Sequence, residues 1–192
     1  MNQLDKIKLF NYELNSINDT NLREFATQLI LHAPDYFFTI AATSSGKYHP
    51  EFARRVGGLV NHTKCVCFYA MCNIESFGLS KHDRDLIIIA ALAHDIKKQG
   101  DSNNNNHTVW EHPELAYDFI IEIRNKFSHL ISEEDAIIIA NAVLCHMGKW
   151  ANYKEFIGDK KAYPMPQTLF EYALQSADYI ASRKELILFD FK

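Results

Sequence analysis

Glycine and proline are scarce in this chain, with seven and five residues among 192. Few backbone breakers leave long uninterrupted segments, so frequently interrupted regular structure is excluded. Cysteine is scarce too: Cys65, Cys67, Cys72 and Cys145 form no CxxC pair, and three of them crowd into one predicted helix. That spacing argues against a thiolate metal site or a disulfide framework, and the four read as reduced core thiols in a reducing compartment. Positive charge is not in excess either, since 20 Lys and Arg against 24 Asp and Glu give −4. With no basic block, a large nucleic-acid surface is excluded, although a local basic pocket is not. No apolar run reaches the ~18 to 20 residues that span a bilayer, and "MNQLDKIKLFNYELNS" lacks the apolar stretch of a signal peptide. A cytoplasmic protein without a membrane partner is expected.

The chain does have the composition of a soluble globular protein, 47% apolar and 23% charged, and a length suited to one domain over residues 1–192. Apolar residues recur at i, i+3, i+4 and i+7 through most of it, the period of helices packed on one face. The expectation is an all-α domain with helices near residues 20–33, 51–56, 59–77, 81–96, 112–127, 132–147 and 166–186. Three long or polar connections separate them: "TSSGKYHP", "QGDSNNNNHTVW" and "GKWANYKEFIGDKKAYPMPQ". Loops longer than ~12 residues in a compact domain are often functional.

Ionisable residues interrupt the apolar faces of five of these helices. His62 shares a stripe with Leu59, Val66 and Tyr69; His94 and Asp95 close the apolar run "IIIAALAHD". His112 opens a helix above Leu115, Ala116 and Phe119, with Pro113 suited to its first turn. His146 lies on the stripe of Ile139, Ala142 and Val143, and Asp178 on that of Phe170, Leu174, Ala177 and Ala181. Taken singly, His62, His112 and His146 read as hydrogen-bonded core residues. Taken together, the six groups would need six separate structural partners, whereas one metal centre satisfies most of them. Nitrogen and carboxylate ligands without thiolate suit Mn, Fe, Co, Ni, Zn or Mg.

In order, "GGLVNHT", "ALAHDIKK", "EHPELA", "CHMG" and "SADYIASR" resemble the motifs of the HD superfamily of metal-dependent phosphohydrolases, spanning most of residues 45–185. The resemblance implies a helical HD-domain bundle in which His62, His94, Asp95 and Asp178 hold a first divalent metal. In one branch Asp95 bridges to a second ion completed by His112 and His146; in single-metal branches those two histidines face the phosphate as acid, base or charge stabiliser. The two-metal arrangement is slightly preferred. Many relatives carry Gly then Lys at the second and third places after the doublet's Asp, and small-nucleotide phosphatases an acid at the third. "HDIKK" has Lys97 and Lys98 instead, which counts against the acid mechanism and leaves Lys98 as a phosphate contact.

The implied activity is a phosphohydrolase using metal-activated water on a nucleotide or related small phosphate ester, either a phosphodiester or a nucleotide phosphate. Asp95, His112, His146 and Lys98 are its candidate catalytic residues. Lys47, Arg54, Arg55 and Lys98 are candidate substrate cations, the plainer reading of each being a solvated surface charge. "SSGKYHP" is not a phosphate-binding P-loop, because its first Gly is missing. A surface turn is the expected place of His49, and core or loop-anchoring roles that of Trp110 and Trp150, although both could stack on a base. Two other classes stand beside this reading, a non-catalytic nucleotide-sensing or binding module that keeps the metal site and a nuclease for short single strands. Assembly as a homo-oligomer is compatible with the sequence.

Overall fold

The computed structural model describes residues 1–43, 49–101 and 107–183. Among them regular structure is entirely helical: α1 (Gln3–Leu9), α2 (Asn11–Asn15), α3 (Thr20–His32), α4 (Gly58–Ser76), α5 (Lys81–Ala93), α6 (His112–Lys126), α7 (Glu133–Cys145), α8 (Lys154–Ile157) and α9 (Leu169–Ala181). The expected all-α class is therefore the observed one. Short 3-10 turns at Asp35–Phe38, Glu51–Ala53 and Gly148–Ala151 complete the order.

Local chemistry starts the long helices where they start. Asp19 accepts from the backbone of Asn21 and Leu22 at the head of α3, and Ser132 accepts from Asp135 at the head of α7. Ser80 with Asp83 and Thr168 with Glu171 form reciprocal capping boxes on α5 and α9, each satisfying two N–H groups that the helix leaves without partners. Helix α4 has no side-chain cap. Its first turn is seated instead by Gly57, at φ +73°, and by backbone bonds from Gly57 N to Thr39 O and from Leu59 N to Ile40 O. Gly58 has no room for a side chain, since a Cβ there would stand 2.3 Å from the Ala53 carbonyl oxygen.

Helix α5 is the axis of the molecule. Every residue from Leu86 to Ala93 is fully buried, and α3, α4, α7 and α9 pack around it. Burying each Leu or Ile there is worth about 1.5–3 kcal/mol, which explains a helix that is apolar on nearly every side. Helix α9 lies along α4, and α6 along α7. The ends of these helices, rather than their middles, converge on one point.

Several expectations need correction. Residues 51–56 form only the turn Glu51–Ala53, because Pro50 and the left-handed Gly57 leave no length for a helix. The last helix stops at Ala181, and residues 184–186 lie outside the described residues. Helices α1 and α2 went unexpected; their buried Leu14 and the adjoining Phe10 and Ile17 join the core. The connection at 148–167 holds a 3-10 turn and α8. Of the cysteines, Cys67 and Cys145 are buried and Cys65 is half-buried, but Cys72 is exposed on α4 and is not a core thiol. No helix among the described residues is long and apolar enough to cross a membrane.

Candidate metal centre

His94 caps the C-terminus of α5 and His146 that of α7. Helix ends leave carbonyls without intrahelical donors, and both rings use one of them: the Nδ1 of His94 lies 2.8 Å from the Ala91 oxygen, and that of His146 2.6 Å from the Val143 oxygen. His112, the first residue of α6, repeats the arrangement with Val109, at 2.8 Å. A carbonyl only accepts, so Nδ1 carries the proton in all three rings. In a neutral ring the Nε2 is then a bare lone pair, and all three Nε2 atoms are aimed inward.

Two triads result. His62, His94 and Asp178 form one, and Asp95, His112 and His146 the other, with the ligand atoms of each within 4.8 Å of one another. In the first, Nε2 of His62 stands 3.3 Å from Nε2 of His94 and 3.0 Å from Asp178 Oδ1. In the second, Nε2 of His112 and Nε2 of His146 face each other at 3.4 Å. Asp95 stands between the triads. Its Oδ2 is 3.7 Å from His62 and 3.4 Å from His94, while its Oδ1 is 3.4 Å from His112 and 3.8 Å from His146.

This donor set fits divalent ions. Two lone pairs facing each other across 3.4 Å repel unless a cation or a proton lies between them, and the Nδ1–H groups of His112 and His146 already donate to backbone carbonyls. Asp95 Oδ1 is buried beside them without a hydrogen-bond partner among the described residues. A buried carboxylate oxygen left unpaired costs several kcal/mol, so the arrangement is uneconomical as core packing and suitable as a ligand set.

Electrostatics set the protonation of the ligand candidates, and they do so differently for each. Burial pushes the His112 imidazole down to about 3 despite Asp95, and burial lowers His146 too, so both stay neutral. Burial also opposes charge on His94, but Asp95 and Asp178 outweigh it and hold that ring above its ordinary value. Burial would raise both carboxyls; Lys98 and His94 hold Asp95 well below the usual carboxylate range, and His62 does the same for Asp178.

A cleft of about 320 Å³ opens over the centre, lined on the polar side by Asp95, Lys98, His49, Thr43 and Thr108 and closed by residues of α9 and of the turn after α7. Lys98 donates to Asp95 Oδ2 and reaches into this cleft. Lys97 turns away, bonded to Asp101 at 2.5 Å above the ring of Phe119. His49 is no surface-turn residue: it lines the cleft, its ring centroid 5.2 Å from that of His62, and burial lowers its pKa to about 4. Arg54 and Arg55 line a neighbouring cleft that shares Thr43 and Thr108 with the first, and Arg55 is paired with Glu51 at 2.6 Å. Lys47 lies outside the described residues. The two tryptophans separate, since Trp150 lines the cleft while Trp110 donates to the Lys161 carbonyl and anchors its loop.

Met147, Gln175, Tyr179, Ser182 and Arg183 also line the cleft and were not anticipated. For α9 a signal existed, because Gln175, Tyr179 and Ser182 share the helical face of Asp178, at i, i+3, i+4 and i+7 counted from Gln175. Neither a curated protein nor a solved structure shows significant similarity to the chain. The HD domain does: its profile matches residues 59–183, more than half of the sequence and all six ligand candidates, and the chain belongs to the HD-domain family.

Proposed function

We propose that the protein is a metal-dependent phosphohydrolase acting on a nucleotide or related small phosphate ester, with water as the nucleophile. The observation that carries the reading is the pair of bare Nε2 lone pairs of His112 and His146 beside the unpartnered Asp95 Oδ1. It favours two ions over one. His62, His94, Asp178 and Asp95 Oδ2 would hold the first, and His112, His146 and Asp95 Oδ1 the second. When bound, such ions supply Lewis-acid charge at phosphate oxygens and bring the pKa of water toward ~7.

The chain's own residues supply the rest. Asp95 fixes the spacing between the two triads through its separate oxygens. The carbonyls of Ala91, Val109 and Val143 lock three imidazoles in the ligating tautomer and orientation, as a second shell does. Lys98 spends one of its three N–H groups on Asp95 and can direct the others at phosphate oxygens, a role for a cation where an acid is absent. Arg54 and Arg55 can attract an anion into the adjoining cleft. A cleft of about 320 Å³ suits a small molecule.

The test is metal content per chain, measured by elemental analysis, together with hydrolysis of phosphomonoester and phosphodiester reporters. Two ions per chain, falling to one in His112→Ala with activity lost, supports the reading. Full activity in His112→Ala and His146→Ala defeats the two-ion form, and no turnover on any phosphate ester by the metal-loaded protein defeats the enzyme.

A further inference from the structure

The cleft is chemically two-sided. Cations and hydroxyls lie near the metal-ligand candidates, but the lining contributed by α9 and by the turn after α7 is aromatic and amide: Met147, Trp150, Gln175, Tyr179, Ser182 and Arg183. Trp150 and Tyr179, 37% and 40% exposed, both present ring surface at this wall of the cleft. The Arg183 guanidinium lies over the Tyr179 ring at 3.9 Å and stands 6.0 Å from the Trp150 ring, so three flat π or cationic surfaces cluster at one wall. Phe156 supports Trp150 from behind, with centroids 4.4 Å apart.

Gln175 lines the same cleft, three residues before Asp178 on the same face of α9. Its side chain rests on the Cα of Gly148, where a Cβ would come within 3.2–3.3 Å of its Cγ, Cδ and Nε2. Gly148 also has φ +54°, so the contact depends on glycine twice over. The Gln175 amide makes no hydrogen bond with any described residue, leaving a donor and an acceptor side by side toward the cleft.

We propose that this wall is a subsite for a planar heteroaromatic group with a hydrogen-bonding edge, the base of a nucleotide. The face of the base would lie against Trp150 and the Arg183–Tyr179 stack, and its edge against Gln175. The proposal refines the phosphohydrolase reading, placing the organic part of the ester on the α9 wall and its phosphate on the Lys98 side. Sugar phosphates and other esters without a ring system would leave the wall uncovered.

Neutral nucleosides separate the two ideas, because they carry no phosphate to be held or hydrolysed. Binding of adenosine, cytidine and ribose to the full chain as purified, measured by calorimetry, tests the subsite directly. Adenosine is expected to bind at least about tenfold tighter than ribose, in line with single base–aromatic stacks. Trp150→Leu and Tyr179→Leu should each remove most of that preference. Gln175→Leu should leave both nucleosides bound while shifting the ratio between them. Tyr179→Leu, at an exposed helical position, serves should Trp150→Leu loosen its loop. Adenosine bound no better than ribose, or a preference untouched by both ring variants, overturns the proposal and leaves reporter hydrolysis unaffected. Nucleoside binding without hydrolysis of any phosphate ester would uphold the subsite and overturn the enzyme.

Discussion

Two buried aspartates stand at opposite ends of α5, and they differ in who completes them. Asp85, in the first turns, is 4% exposed; its Oδ2 accepts from the backbone of Asn18 and Asp19 at 3.0 and 2.9 Å, and its Oδ1 from the Asn18 amide at 3.1 Å. Arg84 lies 3.4 Å away. Every lone pair that needs a donor has one in the protein, and the result is a clamp that fixes the start of α3. Asp95, just past the other end, is 2% exposed and meets the Nε2 atoms of four histidines, three of which carry their proton on the other nitrogen. Burial of a carboxylate is thus no mark of function in itself. What distinguishes a site from a clamp is an acceptor such as Asp95 Oδ1, which, although Lys98 serves the other oxygen, has no donor and faces the ring nitrogens of His112 and His146.

The sharpest way to break this comparison is to remove one carboxylate at a time. Asp95→Asn should lower kcat/KM on a phosphate-ester reporter by at least the roughly 10²–10³-fold that a single electrostatic group contributes to a site, with metal content falling alongside. Asp85→Asn should leave kcat/KM per folded molecule unchanged. Steady-state kinetics on the two variants decides it; equal losses would mean that Asp85 reaches the site or that Asp95 does not.

Acidification of chelator-treated protein should separate the same two ends. Unfolded histidine takes up its proton near pH 6.5, whereas native His112 and His49 wait until about 3 and about 4, and His146 is lowered too. The unfolded state then binds more protons between pH 6.5 and 4, so stability falls as pH falls through that window, on the order of 1 kcal/mol per pH unit for each such group. His94 works in the opposite sense, its contribution being lost as pH rises through its elevated folded value. The depressed carboxyls Asp95 and Asp178 add their losses only below the ordinary aspartate range. Urea unfolding at a series of pH values tests the sum; metal-loaded protein should resist the fall until its ligands protonate. A flat profile in the chelated protein would contradict the neutral, ligand-ready state of His112 and His146.

Asp85→Asn itself should be a stability variant. It retains one oxygen but loses a charge-assisted acceptor for two backbone donors, a change worth about 1–3 kcal/mol. For a chain of this size that is a fall in Tm of about 2–4 °C for each kcal/mol. Calorimetric scans of wild type and variant read it directly.

The long helices were legible because each runs several turns with a clear apolar stripe. Helices α1, α2 and α8, of 7, 5 and 4 residues, are too short to show a period and are held by packing rather than propensity. The convergence of His62, His94, Asp95, His112, His146 and Asp178 was legible because each ionisable group stands where the stripe demands an apolar one. His49 and Arg183 broke no pattern, being polar residues in connections beside the helices, and Gln175 and Tyr179, although they share the face of Asp178, are polar or amphipathic enough to pass for its solvated edge. Only the fold brings the turn after α7 against α9 and turns those faces into a wall. Residues 51–56 failed for a different reason, since the backbone there is set by Pro50 and Gly57 and not by its apolar content.

The smallest expected effect uses histidine at the Asp85 end of α5 as the counterpart to those at the Asp95 end. His82 is 56% exposed in its side chain and pairs through Nε2 with Asp135 of α7 at 2.8 Å. The hydrogen bond to that carboxylate raises its pKa despite some burial, the reverse of His112 and His146. Its contribution is therefore fully present at low pH and lost as pH rises through the raised value. Solvent screening limits an exposed pair to under about 1 kcal/mol. His82→Ala should therefore cost a few tenths of a kcal/mol at pH 5.5, nothing measurable at pH 9, and no activity at either. A large or pH-independent loss would mean that the ring acts by packing, and that α5 is held at its N-terminal end by more than the Asp85 clamp and the Ser80 cap.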